Sequence, residues 1–190
     1  MKILLIYPTR LDKKGKPIKY KKAFLPPLSL AMLDSLTPSH HQVRVVNDIV
    51  EDIDFSNVFD IVGITAMTTQ IKRAYQIADR FRNLGTKVVI GGIHATILPQ
   101  EAKEHADAVV IGEVDNLWEQ ILVDFEKNQY KDFYQDSSRP NLQKLVLPKW
   151  DNINLKIYPK PSFRECCEIC TQKAAICFAS RRLPPSILAA

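Results

Sequence analysis

Two short apolar runs, each ending at glycine, constrain the fold of this chain more than any other feature of its sequence. Val88–Ile90 runs directly into a pair of glycines, and Ala108–Ile111 runs into Gly112. Short runs of β-branched residues without polar alternation are typical of strands buried on both faces of a parallel sheet. The stretch therefore predicts two strands of an α/β sheet, joined by a short helix.

The rest of the chain continues this alternation. Further strands are predicted at 2–7, 43–46 and 60–65, with helices at 27–36, 68–84, 99–105 and 116–127 and a weak helical signal at 49–58. Thr68 or Thr69 is expected to cap the second helix, and Gly85 to end it. Strands that alternate with helices, joined by right-handed crossovers, predict a doubly wound, five-stranded parallel sheet in the order 2-1-3-4-5.

Past Tyr134 the alternation stops. Residues 135–163 carry four prolines and isolated hydrophobic residues, which is typical of a linker that can lie against a domain. We therefore expect one domain at 1–134, followed by a proline-rich linker and a cysteine-containing tail at 135–190.

Composition limits the class of protein. Apolar residues make up 46% of the chain and charged residues 25%, which is ordinary for a globular protein. The sequence has neither a signal peptide nor an apolar run long enough for a transmembrane helix. A cytoplasmic location without membrane contact is the expectation.

The net charge of +5 is concentrated in residues 10–22 and 156–182. We interpret these segments as a solvated loop and a solvated tail. A contact with a polyanion is the alternative, but a nucleic-acid partner is not expected because the charge does not lie on the core of the fold.

Several catalytic and binding motifs are absent. The sequence lacks the glycine-rich dinucleotide fingerprint, the P-loop and the nucleophile elbow. None of the four histidines, at positions 40, 41, 94 and 105, has a second ligand at metal-binding spacing in the sequence.

Small residues follow the predicted strands instead. In a parallel sheet of this kind ligands bind beyond the carboxyl ends of the strands. The residues expected there are Thr65, Thr68, Thr69, Gly91, Gly92, Ile93, His94, Thr96, Gly112 and Glu113. The alternative is that the glycines only turn the chain and the threonines cap helices.

Four segments together carry a family resemblance. They are LPPLSL at 25–30, GIT at 63–65, VVIGGIHAT at 88–96 and ADAVVIGE at 106–113. In this order and spacing they resemble the N-terminal cobalamin-binding domain of B12-dependent radical SAM proteins, over roughly residues 1–130. The resemblance implies a flavodoxin-like fold that holds a corrinoid across the carboxyl ends of the strands.

The resemblance also implies which residues contact the cofactor. The strand-end residues above would line the corrin and its nucleotide tail, with Pro8 and Thr9 after the first strand and Leu25 and Pro26 over it. The related B12-binding pattern that places a histidine on cobalt after the first strand is missing, since Tyr7-Pro8-Thr9-Arg10 stands there. A base-off cobalamin without that histidine is therefore expected. His94 is either a cobalt ligand or a loop residue that bonds backbone or a corrin amide.

The cysteines match the radical SAM pattern only in part. Such enzymes bind a [4Fe–4S] cluster through Cys-x-x-x-Cys-x-x-Cys, and here Cys166, Cys167 and Cys170 supply two overlapping fragments of it. We expect no complete cluster, no S-adenosylmethionine site and no radical SAM barrel in this chain. A loose metal site on these thiols is the alternative to an unstructured tail.

Two functions follow from the sequence. The first is a cobalamin-binding module of a radical SAM protein, methyltransferase-like in intact relatives, which does not catalyse alone. The alternative is a flavodoxin-like regulatory or interaction domain that binds a nucleotide or a protein partner.

Overall fold

The fold is a single parallel sheet, seen in a computed structural model that describes residues 1–136 and 146–158. Its strands are β1 (Lys2–Tyr7), β2 (Gln42–Asn47), β3 (Ile61–Thr65), β4 (Lys87–Gly91), β5 (Ala108–Ile111) and β6 (Phe133–Gln135). All pairs are parallel, in the order β2-β1-β3-β4-β5-β6. The predicted doubly wound sheet and the order of its first five strands are confirmed, and β6 adds a sixth strand beside β5.

Five α-helices connect the strands within the described ranges. They are α1 (Leu28–Leu36), α2 (Ile71–Asn83), α3 (Ile93–Ile97), α4 (Pro99–Glu104) and α5 (Trp118–Glu126), followed by a 3-10 helix at Leu155–Ile157. Two local predictions are wrong. Residues 49–58 contain no helix, and Gln70 rather than a threonine precedes α2, without a side-chain cap. The expected loop at 91–96 includes the start of α3.

Side chains of the buried strands alternate between two apolar layers. Leu4 and Ile6 face the layer that contains α2, whereas Ile3 and Leu5 face the layer that contains α1 and α5. Such alternation follows from the two-residue repeat of a strand. Because both faces are covered, the strands read as continuous apolar runs, which is why the sequence predicted them correctly.

The segment 146–158 packs against the domain. The Lys149 amide donates to the Ala31 carbonyl at 3.1 Å, and Asn152 Nδ2 donates to Asp34 Oδ2 at 3.0 Å. Tyr158 is buried and accepts a 2.8 Å hydrogen bond from Asn47 Nδ2. The segment therefore lies against α1 and the end of β2.

Among the described residues, no helix is both long enough and apolar enough to cross a bilayer.

Candidate functional site

A groove lies where the strand order reverses. Strands β2 and β3 flank β1 on opposite sides, so the chain leaves the sheet in opposite directions at the carboxyl ends of β1 and β3. Ligands of doubly wound sheets bind at this switch point. The groove here measures about 400 Å³ and is lined by Tyr7, Thr9, Arg10, Tyr20, Lys22, Ala23, Phe24, Ile49, Met67, Thr69 and Gln70. We call it the switch-point groove.

Gly92 locks the loops after β3 and β4 together. Its φ is +100° and its ψ is −176°, a conformation that is essentially restricted to glycine. A Cβ at this position would lie 2.7 Å from the Ala66 carbonyl oxygen and 2.9 Å from the Ala66 nitrogen. The Ala66 amide also donates to the Gly91 carbonyl at 3.1 Å. The glycine therefore permits a backbone approach that no other residue allows.

Thr96 connects the β4 turn to the β5 turn. Its hydroxyl donates to the Gly92 carbonyl and accepts from the Gly112 amide, both at 3.0 Å. Gly112 has φ +82°, and a Cβ placed on it would meet no atom within 4 Å. The Gly112 and Glu113 turn is exposed. The outer surface of this turn is thus open to a ligand, while its inner surface is fixed by Thr96.

His94 has partners on both ring nitrogens. The residue is 6% exposed, with Nδ1 3.3 Å from Thr68 Oγ1 and Nε2 3.3 Å from Glu101 Oε1. The Tyr75 hydroxyl donates to the same Glu101 oxygen at 3.0 Å. Burial, reinforced by this hydrogen bond, raises the pKa of Tyr75, so the phenol remains a donor. The network fixes the histidine beneath the β3 and β4 loops.

A buried carboxylate at the end of β2 anchors the basic loop. Asp48 is fully buried and accepts hydrogen bonds from Arg73 Nε at 2.9 Å, Lys19 Nζ at 2.8 Å and the Thr9 amide at 3.1 Å. Burial alone raises the pKa of Asp48, but the hydrogen bonds from Arg73, Lys19 and Thr9 outweigh it and hold the pKa below its usual value. The basic segment is therefore attached to the carboxyl edge rather than fully solvated.

The structure divides the predicted site residues into two neighbouring groups. Thr65, Thr68, Gly91, Gly92, Ile93, His94, Thr96, Gly112 and Glu113 lie on the β3, β4 and β5 turns. Thr9 and Thr69 line the switch-point groove, and the buried Pro8 accepts from Gln70 Nε2 at 2.7 Å. Leu25 is exposed and Pro26 half-buried, just beyond the groove-lining Phe24. Cys166, Cys167 and Cys170 lie outside the described residues.

Sequence reasoning missed part of the groove. Tyr20, Lys22 and Phe24 come from a segment that was interpreted as a loop, and no local pattern ties it to the sheet edge. Asp48 offered a signal, since a carboxylate directly after a strand falls at the carboxyl edge. Its contacts with Lys19 and Arg73 could not be predicted, because these residues are distant from it in the sequence.

Part of this chain matches a family of known proteins. Residues 25–122 match the family described as the B12 binding domain. The chain is 41% identical to bacteriochlorophyllide d C-8(2)-methyltransferase of Chlorobaculum tepidum over 136 residues, which is 71% of this chain and 29% of that protein. It is 34% identical over 125 residues to bacteriochlorophyllide d C-12(1)-methyltransferase of the same organism, covering 64% of this chain and 27% of that protein.

A third relative extends the alignment. An uncharacterized methyltransferase of Pyrococcus horikoshii is 28% identical over 186 residues, or 83% of this chain and 40% of that protein. The chain thus spans well under half the length of these three relatives.

Proposed function

Because this chain belongs to the B12-binding domain family, we propose that it holds a cobalamin at the carboxyl edge of its sheet. The observation that carries the proposal is the open edge itself. The Gly112 turn leaves free space beside its backbone, and the switch-point groove lies on the same edge. A corrin ring is broad and has to approach backbone groups that no side chain covers. Glycine turns provide such uncovered backbone.

The residues at this edge fit a corrin. Met67 and Ile93 are 45% and 60% exposed and come from the turns after β3 and β4. Both would place apolar side chains against the ring, where burial is favourable. The hydroxyl of Thr69 and backbone groups of the Gly112 turn would bond the ring's amide substituents.

The groove fits the nucleotide tail of the same cofactor. Arg10 and Lys22 line it, together with the rings of Tyr7 and Tyr20. A phosphodiester is recognised by such cations, and an aromatic base by such rings. We propose that the tail extends into this groove, which requires the cobalamin to be base-off.

His94 is proposed to position the edge rather than to ligate cobalt. Its ring nitrogens already face Thr68 and Glu101, and ligation would break one of these contacts. The histidine then holds the Thr68 turn in place beneath the ring.

A bound cobalamin would supply a cobalt-held methyl group. The named relatives are methyltransferases, so we propose that this domain serves a methyltransferase of the radical SAM type. The [4Fe–4S] cluster, S-adenosylmethionine and the barrel that binds them would lie beyond this domain. Catalysis by the domain alone is not part of the proposal.

Corrinoid retention tests the proposal. Protein mixed with hydroxocobalamin, riboflavin phosphate or ATP is passed over a gel-filtration column, and the ligand in the protein peak is measured by absorption. We expect the protein to retain cobalamin but neither riboflavin phosphate nor ATP. Retention of the nucleotide or flavin without cobalamin would favour a regulatory domain, and retention of no ligand would contradict cobalamin binding.

A pair of glycine variants locates the site. Gly112→Val and Gly85→Val both place a side chain at a positive φ in open space, but only Gly112 lies at the carboxyl edge. We expect G112V to lose cobalamin and G85V to retain it, with similar losses of stability. Equal retention by the two variants would place the cofactor elsewhere.

A further inference from the structure

A second group of polar side chains lies at the opposite, amino edge of the sheet. His40 and His41 directly precede β2, and Glu126 is the last residue of α5. Each of the three offers one ligand atom, and these atoms lie within 4.8 Å of one another. The two imidazole centroids are 4.0 Å apart, and His41 Nδ1 lies 3.7 Å from Glu126 Oε1. The fold thus assembles a His-His-Glu cluster that spacing in the sequence did not reveal.

The chemistry of this cluster suits a divalent metal ion. Two imidazole nitrogens and one carboxylate oxygen are ligands that Zn²⁺ binds, and three protein ligands leave a fourth position for water. The ligands must be neutral imidazole and ionised carboxylate at physiological pH.

His41 is buried and lies between the Met1 amino group, His40 and Glu126. The Met1 amino nitrogen lies 3.1 Å from His41 Nδ1 and competes with a metal for that atom. Because a tag or a modification would alter this contact, the assay uses protein with an unmodified amino terminus.

The end of α5 adds a favourable field. The carboxyl end of a helix carries a partial negative charge that attracts cations. No basic residue lies in the last turn of α5, and the exposed Lys127 follows as its C-cap. A cation held by Glu126 would occupy this position.

We propose that His40, His41 and Glu126 form a binding site for a divalent transition-metal ion such as Zn²⁺. The ion joins the end of α5 to the start of β2, which is an edge strand of the sheet. The site is separate from the cofactor edge and does not depend on cobalamin binding.

Zinc binding by the full chain tests the proposal. The protein is corrinoid-free and untagged, and its thiols are alkylated because Cys166, Cys167, Cys170 and Cys177 are themselves able to bind zinc. Affinity is measured by competition with a chromophoric chelator, and stability by thermal unfolding with Zn²⁺ or with EDTA. At free Zn²⁺ about ten times the dissociation constant, we expect the midpoint to rise by roughly 3–6 °C.

Three variants make the assignment specific. His40→Ala and Glu126→Gln alter exposed side chains, so both should fold as the wild type does in EDTA. Each should weaken zinc binding by at least about tenfold. Removing a residue that only hydrogen-bonds to a metal ligand already costs about that much, and removing the ligand itself should cost no less. His105→Gln is the control, since His105 Nδ1 lies 2.8 Å from Asp79 Oδ1 but belongs to no three-residue ligand cluster among the described residues.

The outcomes are distinct. Unchanged zinc affinity in H105Q, together with affinity weakened at least about tenfold in H40A and E126Q, supports the site. Absence of zinc binding in the wild type overturns it, as does wild-type affinity in H40A and E126Q.

Discussion

Replacing Gly92 with alanine should destabilise this protein far more than a glycine-to-alanine change ordinarily does. Gly92 adopts φ +100° and ψ −176°, a conformation that costs a non-glycine residue about 1–3 kcal/mol. The new Cβ would also lie 2.7 Å from the Ala66 oxygen and 2.9 Å from the Ala66 nitrogen. These are backbone atoms and cannot rotate away, so overpacking adds about 1–3 kcal/mol. The expected loss in the free energy of unfolding is therefore roughly 2–6 kcal/mol.

The control is Gly85→Ala. Gly85 also has a positive φ, +83°, but a Cβ there meets no atom within 4 Å. Its expected cost is only the backbone term, about 1–2 kcal/mol. Urea unfolding followed by circular dichroism measures both variants, and the midpoint should shift with an unchanged slope. If G92A loses no more stability than G85A, the close approach of the β3 and β4 turns is not as described.

Two further predictions concern buried carboxylates. Asp48→Asn should cost about 3–5 kcal/mol because it leaves Arg73 without its ionised partner. The pKa of Asp48 is lowered in the fold, so its contribution is complete above the unfolded value of 3.8 and is lost as pH falls through the folded pKa. Urea midpoints of wild type and D48N should differ by a constant amount from pH 7 to about pH 4 and converge only below it; curves that stay parallel down to about pH 2 would contradict the assignment. Burial raises the pKa of Asp34, with the Asn152 hydrogen bond opposing it, so its ionisation opposes folding as pH rises above 3.8. Asp34→Asn should stabilise the protein at pH 7 and lose that gain in acid; a destabilised D34N at pH 7 would refute this.

Local sequence patterns predicted the sheet well because its strands are buried on both faces. A run such as Val88–Ile90 has no polar alternation, which is typical of a strand in a parallel sheet covered on both faces. Strand β6 was missed because it has three residues, Phe133–Gln135, and is defined by its pairing with β5. Such a strand has no local signature that separates it from a linker.

Tertiary contacts decided the details that the sequence predicted wrongly. Thr68 or Thr69 was expected to cap α2, but neither does, and the Thr68 hydroxyl lies 3.3 Å from His94 Nδ1. The glycine turns of the candidate site could be predicted because glycine is the residue that most readily adopts the positive φ angles of tight turns. The contacts of Asp48 with Lys19 and Arg73, and of His41 with Glu126, join residues far apart in the chain, and no spacing rule reveals them.

Backbone amide hydrogen exchange with and without hydroxocobalamin tests the central claim most directly. If the cofactor lies on the carboxyl edge, exchange should slow at 66–69, 92–96 and 112–114 and remain unchanged at 40–43 on the amino edge. Gly112→Val should abolish the protection while leaving exchange in the sheet itself as it was. Absence of protection, or protection confined to the amino edge, would contradict cobalamin binding at this site.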